Sequence, residues 1–476
     1  MDKESVQASP HLALNHLFRW QFAASFYMSL LQLASIVLLG RFLGYKELGI
    51  YTIFQIIFRL AITLFEPGMF VSIIQKAGFN YKILRKEKKI QLLLVITGIV
   101  ILCFFFGIEK NYLFNNTSIV VIGLLLFLLI GIFSQYSALL TKQLKQKEIS
   151  LAQMIGSSLE FIFILSTIWF ISPLLVFSGG LLLRFIVYYS MCWYYLRKVI
   201  IAEDQSASVE EHVHFSSYQV TNQGLSFVQG NFDTVLVGSV FGLSILGPYN
   251  FASEISYLLF SKINPVFNKA IFPILSKFQN QPAERQNIIS ESLLSHAMIC
   301  ISLYLIMYFN IETLIPLAAK DPDGLILGFS KFILIMAMIR SVNNMVFNQL
   351  LSLGESKNLL KWNVAVLLIN YTFITIIYLL GASIQNFLFI NIFLSLSVLI
   401  FIVYRLRRYF EDNNQLNKQV IYYLVYFASC ITILFGIQMQ DFHFIVSIIL
   451  DILAILILSF AFYKQKLLNL IRFRIM

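Results

Sequence analysis

LGRFLGYKELGIYT, residues 39–52, is answered 198 positions later by VGSVFGLSILGPYN, residues 237–250. The same shift lays Gln219 on Gln21, Val235 on Val37 and Pro265 on Pro67. Each copy ends one long apolar run and begins the next after a short turn. Outward from this pair, such runs fill the 476 residues; hydrophobic residues make up 58% and charged ones 12%, about half the charged share of a soluble domain. Each run reaches the roughly 20 residues that cross a bilayer as a helix, not the short alternating segments of a β-barrel.

Fourteen spans are expected: 20–41, 50–74, 90–108, 117–140, 151–171, 174–196, 217–240, 247–272, 291–316, 325–350, 359–380, 383–404, 418–437 and 442–463. The repeat shift crosses six of them. An even number preserves orientation, so the repeat is parallel, the kind that relates two transporter lobes about an axis along the membrane normal. The expected fold is all-α: a polytopic membrane bundle of about 14 transmembrane helices in two six-helix pseudo-symmetric lobes, 1–200 and 201–412. An appended pair, helices 13 and 14, and a tail occupy 413–476.

Of 35 Lys and Arg, six fall inside apolar runs, four (Arg41, Lys46, Lys110, Lys320) on one side, and the remaining 25 on the other. Basic residues crowd the cytoplasmic side of membrane proteins, which places both termini of a multi-pass protein in the cytoplasm. Topology thus accounts for the net charge of +11, and no nucleic acid is implied. The first run is too long and continuous for a cleavable signal. Cys103, Cys192, Cys300 and Cys430 all fall in apolar runs without CxxC spacing, as packing residues do.

The seventh span carries Gln219, Asn222, Gln223, Ser226, Gln229 and Asp233 on one helical face, a stripe that lipid cannot accept. Its repeat partner offers Gln21, Ser25 and Ser35 at matching positions, with Gln32 one residue off the stripe. Polar contacts between helices would explain any one of these; stripes on both equivalent helices point to a wet cavity. Charges within apolar runs add to the set: Arg59, Glu66, Glu160, Arg184, Glu254, Lys262, Lys331, Arg340 and Asp451. Each costs about 2.5–3.5 kcal/mol at the membrane centre on insertion scales. Arg59, Arg184, Lys262 and Arg340 are the candidate substrate-binding cations, suited to an anionic head group such as a pyrophosphate. Structural ion pairs, such as Glu254 with Lys262 or Arg59 with Glu66, are the competing explanation. Gln21, Gln32, Glu66, Glu160, Gln219, Asn222, Gln223, Asp233, Glu254 and Asn344 complete the cavity and ion-coupling candidates. Pro67 and Pro265 interrupt equivalent helices and are candidate hinges.

The junction at 39–76 and the segment NFDTVLVGSVFGLSILGPYNFASEI, residues 231–255, resemble the polysaccharide transporter branch of the multidrug/oligosaccharidyl-lipid/polysaccharide exporter superfamily, whose members include O-antigen, capsule and teichuronic acid flippases. The resemblance covers the whole chain in helix number and order. It implies a two-lobed bundle that moves an undecaprenyl-pyrophosphate-linked oligosaccharide across the membrane by alternating access. Lipid-linked oligosaccharide and membrane lipid would be the partners, with a polysaccharide polymerase and a chain-length regulator as further ones. It further implies that helices 13 and 14 border a groove for the lipid tail, where Asp451 is a departure. No catalytic residue, metal or cofactor is expected beyond a coupling ion, a proton or sodium. An exporter of another small substrate is the alternative within the superfamily. A membrane polysaccharide polymerase or acyltransferase is the alternative from another class, against which stand short outer loops and the lack of HExxH, GxSxG or P-loop motifs.

Overall fold

The computed structural model describes residues 10–65, 82, 85–96, 117–143, 145–198, 209–278, 281–355, 383–410, 413–440 and 444–463, with scattered positions between 359 and 381. All named elements are helices: α1 (Pro10–Phe42), α2 (Tyr45–Leu64), α3 (Thr117–Lys142), α4 (Gln146–Thr167), α5 (Pro173–Leu196), α6 (Val209–Phe241), α7 (Leu243–Ser256), α8 (Leu258–Lys277), α9 (Pro282–Ala318), α10 (Leu325–Ser352), α11 (Ile384–Leu406), a 3-10 turn (Arg407–Tyr409), α12 (Asn413–Gln438) and α13 (Phe444–Tyr463). The all-α membrane bundle expected from the sequence is what forms.

Among the described residues, nine helices are long and apolar enough to cross a membrane. They answer to the first, second, fourth, fifth, sixth, ninth, tenth, twelfth and thirteenth expected spans. The other five differ for physical reasons or lie partly outside the described residues. α6, the seventh, carries the polar stripe. The eighth is split by an interruption at Tyr257 (φ −81°, ψ 0°). α13, the fourteenth, holds a shorter apolar stretch, Val446–Phe460. The third and eleventh are described only in part.

The interruption places Glu254 on α7 and Lys262 on α8. Hydrogen bonds from Tyr257 N to Ser253 O (2.8 Å) and from Ser261 N to Tyr257 O (3.0 Å) carry the backbone past the break. The amides of Tyr257 and Ser261 are thereby satisfied, as a lipid environment demands.

The chain divides into two compact units, Met1–Gly247 and Pro248–Met476. In the first, α5 packs on α3 and α4, α1 packs on α4, and α2 packs on α3 and α6. Its repeat junctions are alike in outline: α1 ends at Phe42 and α2 starts at Tyr45, while α6 ends at Phe241 and α7 starts at Leu243. The shared glycines are used differently. Gly44 caps α2 from extended backbone (φ −76°), and its N–H donates to Glu47 Oε2 at 3.1 Å. Gly242 turns with φ +80°, a conformation that a side chain would strain.

Five residues into each helix, Gly49 and Gly247 make reciprocal close approaches. A Cβ on Gly49 would strike the Leu243 carbonyl oxygen, and one on Gly247 would strike the Tyr45 carbonyl oxygen. Tyr45 and Leu243 are themselves repeat equivalents, as are Gly49 and Gly247. The two helix starts therefore cross backbone to backbone in a locally two-fold manner, which small residues permit.

In the second unit, α10 packs on α8, α9 and α11, and α12 and α13 pack on α9. Leu294, Met298, Ile301, Tyr426, Cys430, Leu434 and Ile455 form the apolar core of that last contact. Asp451 is fully buried there and accepts a hydrogen bond from Asn310 Nδ2 at 2.7 Å. Tyr426 OH is shared between Ser302 Oγ (2.6 Å) and Ser459 Oγ (2.8 Å). The carboxylate that looked out of place on a lipid-facing helix sits on the face that α13 turns to α9.

Candidate functional site

Each unit holds a polar centre at mid-span. In the first, α4 and α5 approach through glycines: a Cβ on Gly156 would come within 2.9 Å of the Arg184 carbonyl oxygen, and one on Gly180 within 3.4 Å of Glu160 Cγ. That proximity sets Arg184 against Glu160, with Nη1 to Oε2 at 3.3 Å. The Glu160 side chain is 13% exposed and that of Arg184 32%. The contact is longer than the 2.7–2.9 Å typical of charge-assisted bonds, so Glu160 holds the guanidinium in place while using little of its five-donor fork. On α2, Phe58 packs edge-on against Phe185 of α5 at 5.0 Å. Arg59 and Arg184 each neighbour a member of that aromatic pair, at one depth in the unit, and both are partly buried.

The polar face of α1 is open: Gln21, Ser25 and Gln32 are exposed. On α6, Gln223 and Asp233 are half-buried, while the side chains of Gln219 and Asn222 lie outside the described residues. So do Glu66 and Pro67, and with them the hinge and ion pair expected there.

In the second unit, Arg340 on α10 donates from Nη1 to Tyr257 OH at 2.9 Å and from Nε to Ser395 Oγ at 3.3 Å. It thereby ties the α7–α8 break to α11. One turn further on, Asn344 belongs to an amide cluster: its Oδ1 accepts from Asn264 Nδ2 (3.1 Å) and Asn268 Nδ2 (2.9 Å) of α8. Asn264 Oδ1 accepts from Ser341 Oγ at 2.5 Å and lies 3.3 Å from His296 Nε2 of α9. Asn264, His296 and Ser341 are all buried. The hydropathy pattern did not reveal Asn264 or His296, because a lone amide and a lone imidazole 32 residues apart form no periodic signal. Lys262 and Pro265 are exposed on α8, and Glu254 is half-buried on α7. Lys331 pairs with Glu312 of α9.

This is a multi-pass transporter architecture with its polar chemistry inside the spans. The fold is shared with the structure of "Lipid II flippase MurJ, inward closed conformation", with a TM-score of 0.65 over 94% of this chain and 99% of that one, at 16% identity. The family model described as polysaccharide biosynthesis protein matches residues 38–319. The chain belongs to that family. It is 23% identical over 354 residues to "Lipopolysaccharide biosynthesis protein WzxC" of Escherichia coli (strain K12), covering 73% of this chain and 71% of that one. It is 25% identical to "Uncharacterized membrane protein in cps region" of Klebsiella pneumoniae over 65% of this chain, spanning 63% of the relative's length.

Proposed function

We propose that the protein flips undecaprenyl-pyrophosphate-linked oligosaccharide repeat units across the bacterial inner membrane by alternating access, for synthesis of a cell-surface polysaccharide. The observation that carries this reading is the placement of Arg184 and Arg340 inside apolar spans, each oriented by hydrogen-bonding neighbours. A diphosphate leaving water needs fixed cations to replace its hydration, and guanidinium forks pair with phosphate oxygens two at a time. The amphiphile's sugars would meet the exposed Gln21 and Gln32 face of α1. Glu160, Asp233 and Glu254 are the acidic groups to which a coupling proton or sodium ion would bind.

Deleting the gene from a polysaccharide-producing host is expected to abolish the surface polymer while single lipid-linked repeat units accumulate in the membrane. Loss of the polymer without that accumulation would contradict the reading.

In this reading both termini face the cytoplasm, as the basic bias requires. Cysteines introduced at Lys110 and Asp321, in a background lacking the four native ones, should react with an impermeant reagent added outside intact cells. Cysteines at Lys86 and Gln205 should not. The opposite pattern would invert the topology.

A further inference from the structure

Away from the mid-span centres, the second unit has a cleft of about 270 Å³ lined by Glu355, Leu359, Lys361, Trp362, Ala365, Phe401 and Arg405. It lies at the end of α11 that carries the exposed Arg407 and Arg408. Trp362 stacks flat on Phe401 (3.6 Å between centroids, 10° between planes), which fixes the indole against one wall. Its Nε1–H is buried and has no acceptor. A buried donor without a partner is unfavourable, and an indole N–H at the rim of a membrane span ordinarily finds one.

Arg405 Nη2 holds Glu355 Oε2 at 2.8 Å, and Tyr409 OH donates to Glu355 Oε1 at 3.1 Å. The carboxylate is thereby drawn towards α11, and Lys361 is left exposed. Two cations and one carboxylate give the cleft one net positive charge beside apolar walls. The volume falls just below the range of ordinary small-molecule pockets, about 300–1,000 Å³, and has no room for an oligosaccharide.

We propose that this cleft binds the phosphodiester head group of an anionic membrane phospholipid. Trp362 Nε1 donates to a phosphate oxygen, Lys361 supplies the charge, and Leu359, Ala365 and Phe401 flank the first carbons of the acyl chains. The single net charge matches a monoanionic phosphodiester rather than the diphosphate of the transport substrate. The proposal does not depend on what the protein transports.

The test is native mass spectrometry of the purified full-length protein with phosphatidylglycerol, phosphatidylcholine or undecaprenyl diphosphate added. The wild type should retain phosphatidylglycerol in preference to phosphatidylcholine. Trp362→Phe keeps the stacking and removes only the N–H, and should weaken phosphatidylglycerol binding about tenfold, the scale of one hydrogen bond to a charged acceptor. Lys361→Gln should do the same and Lys361→Arg should not. Far-UV dichroism and size-exclusion elution like the wild type's would show that the variants are folded. Equal retention of the two phospholipids, wild-type binding by both Trp362→Phe and Lys361→Gln, or stronger Lys361-dependent binding of undecaprenyl diphosphate would each overturn the proposal.

Discussion

Replacing Arg184 or Arg340 by alanine is expected to abolish surface polysaccharide export, the Arg340 variant doing so at normal abundance in the membrane. Each guanidinium would offer the diphosphate charge-assisted bonds that contribute about 1.5–3 kcal/mol apiece, so losing one weakens binding roughly ten- to hundredfold. The two sites differ in what the alanine leaves behind. Arg340→Ala deprives the hydroxyls of Tyr257 and Ser395 of a donor, and both are groups that can turn to other partners. Arg184→Ala strands Glu160, whose side chain is 13% exposed, and breaking a buried pair from one side costs about 3–5 kcal/mol of stability.

A companion variant separates the two effects. In Arg184→Ala/Glu160→Gln no unpaired carboxylate remains, so abundance should recover while export stays below that of Glu160→Gln alone. If export recovers together with abundance, Arg184 is a structural cation and not a substrate ligand. Arg→Lys at either site should restore export only in part, because an ammonium cannot fork. Arg59→Ala, one residue from the Phe58–Phe185 contact, is expected to lose export as Arg184→Ala does. The readout is surface polymer and immunoblotted protein in a host lacking the chromosomal copy.

The second large effect is expected at Gly49 and Gly247. A Cβ at either position meets backbone, not a movable side chain: Leu243 C lies 2.9 Å from the Gly49 Cβ position, and Gly49 N lies 2.7 Å from that of Gly247. The helix starts can accept even alanine only by separating. Overpacking of this kind costs about 1–3 kcal/mol, which shifts a two-state equilibrium by roughly five- to more than a hundredfold. In the proposed orientation these starts lie at the outer face. Gly49→Ala and Gly247→Ala should therefore disfavour the state in which the starts are in contact, raise labelling of a cysteine placed deep in α1 at Gln32, and lower export at least fivefold. Gly230→Ala, where nothing lies within 4 Å of the added carbon, is the matched control and should export normally. Unchanged labelling and export in all three variants would show that the crossing plays no part in transport.

The architecture was legible from the sequence to the extent that it is written in local hydropathy. α3 and α11 are strongly apolar over lengths that a bilayer explains, and the junction motif marks where α1 gives way to α2 and α6 to α7. The polar stripe of α6 was legible for the same periodic reason, and it is also why that helix falls short of an ordinary lipid-facing span. Pairings across helices were harder to read. Glu160 and Arg184 both stood out as charges in apolar runs, but their partnership depends on Gly156 and Gly180 bringing α4 and α5 together, a three-dimensional consequence with no fixed spacing. Asp451 looked anomalous because its partner, Asn310, is 141 residues away in the chain. The Tyr257 break escaped notice because no glycine stands there and the prolines at 248 and 265 lie to either side of it.

The central claim is most directly tested with the purified protein in sealed liposomes containing undecaprenyl-pyrophosphate-linked oligosaccharide, by following how much of it becomes accessible to an impermeant glycosidase added outside. The account predicts that the accessible share rises from about half, the outer leaflet alone, towards completion with the wild-type protein. Liposomes with Arg340→Ala should stay near the starting share. A wild-type protein that leaves the inner-leaflet pool protected, under every proton and sodium gradient imposed, would contradict the account.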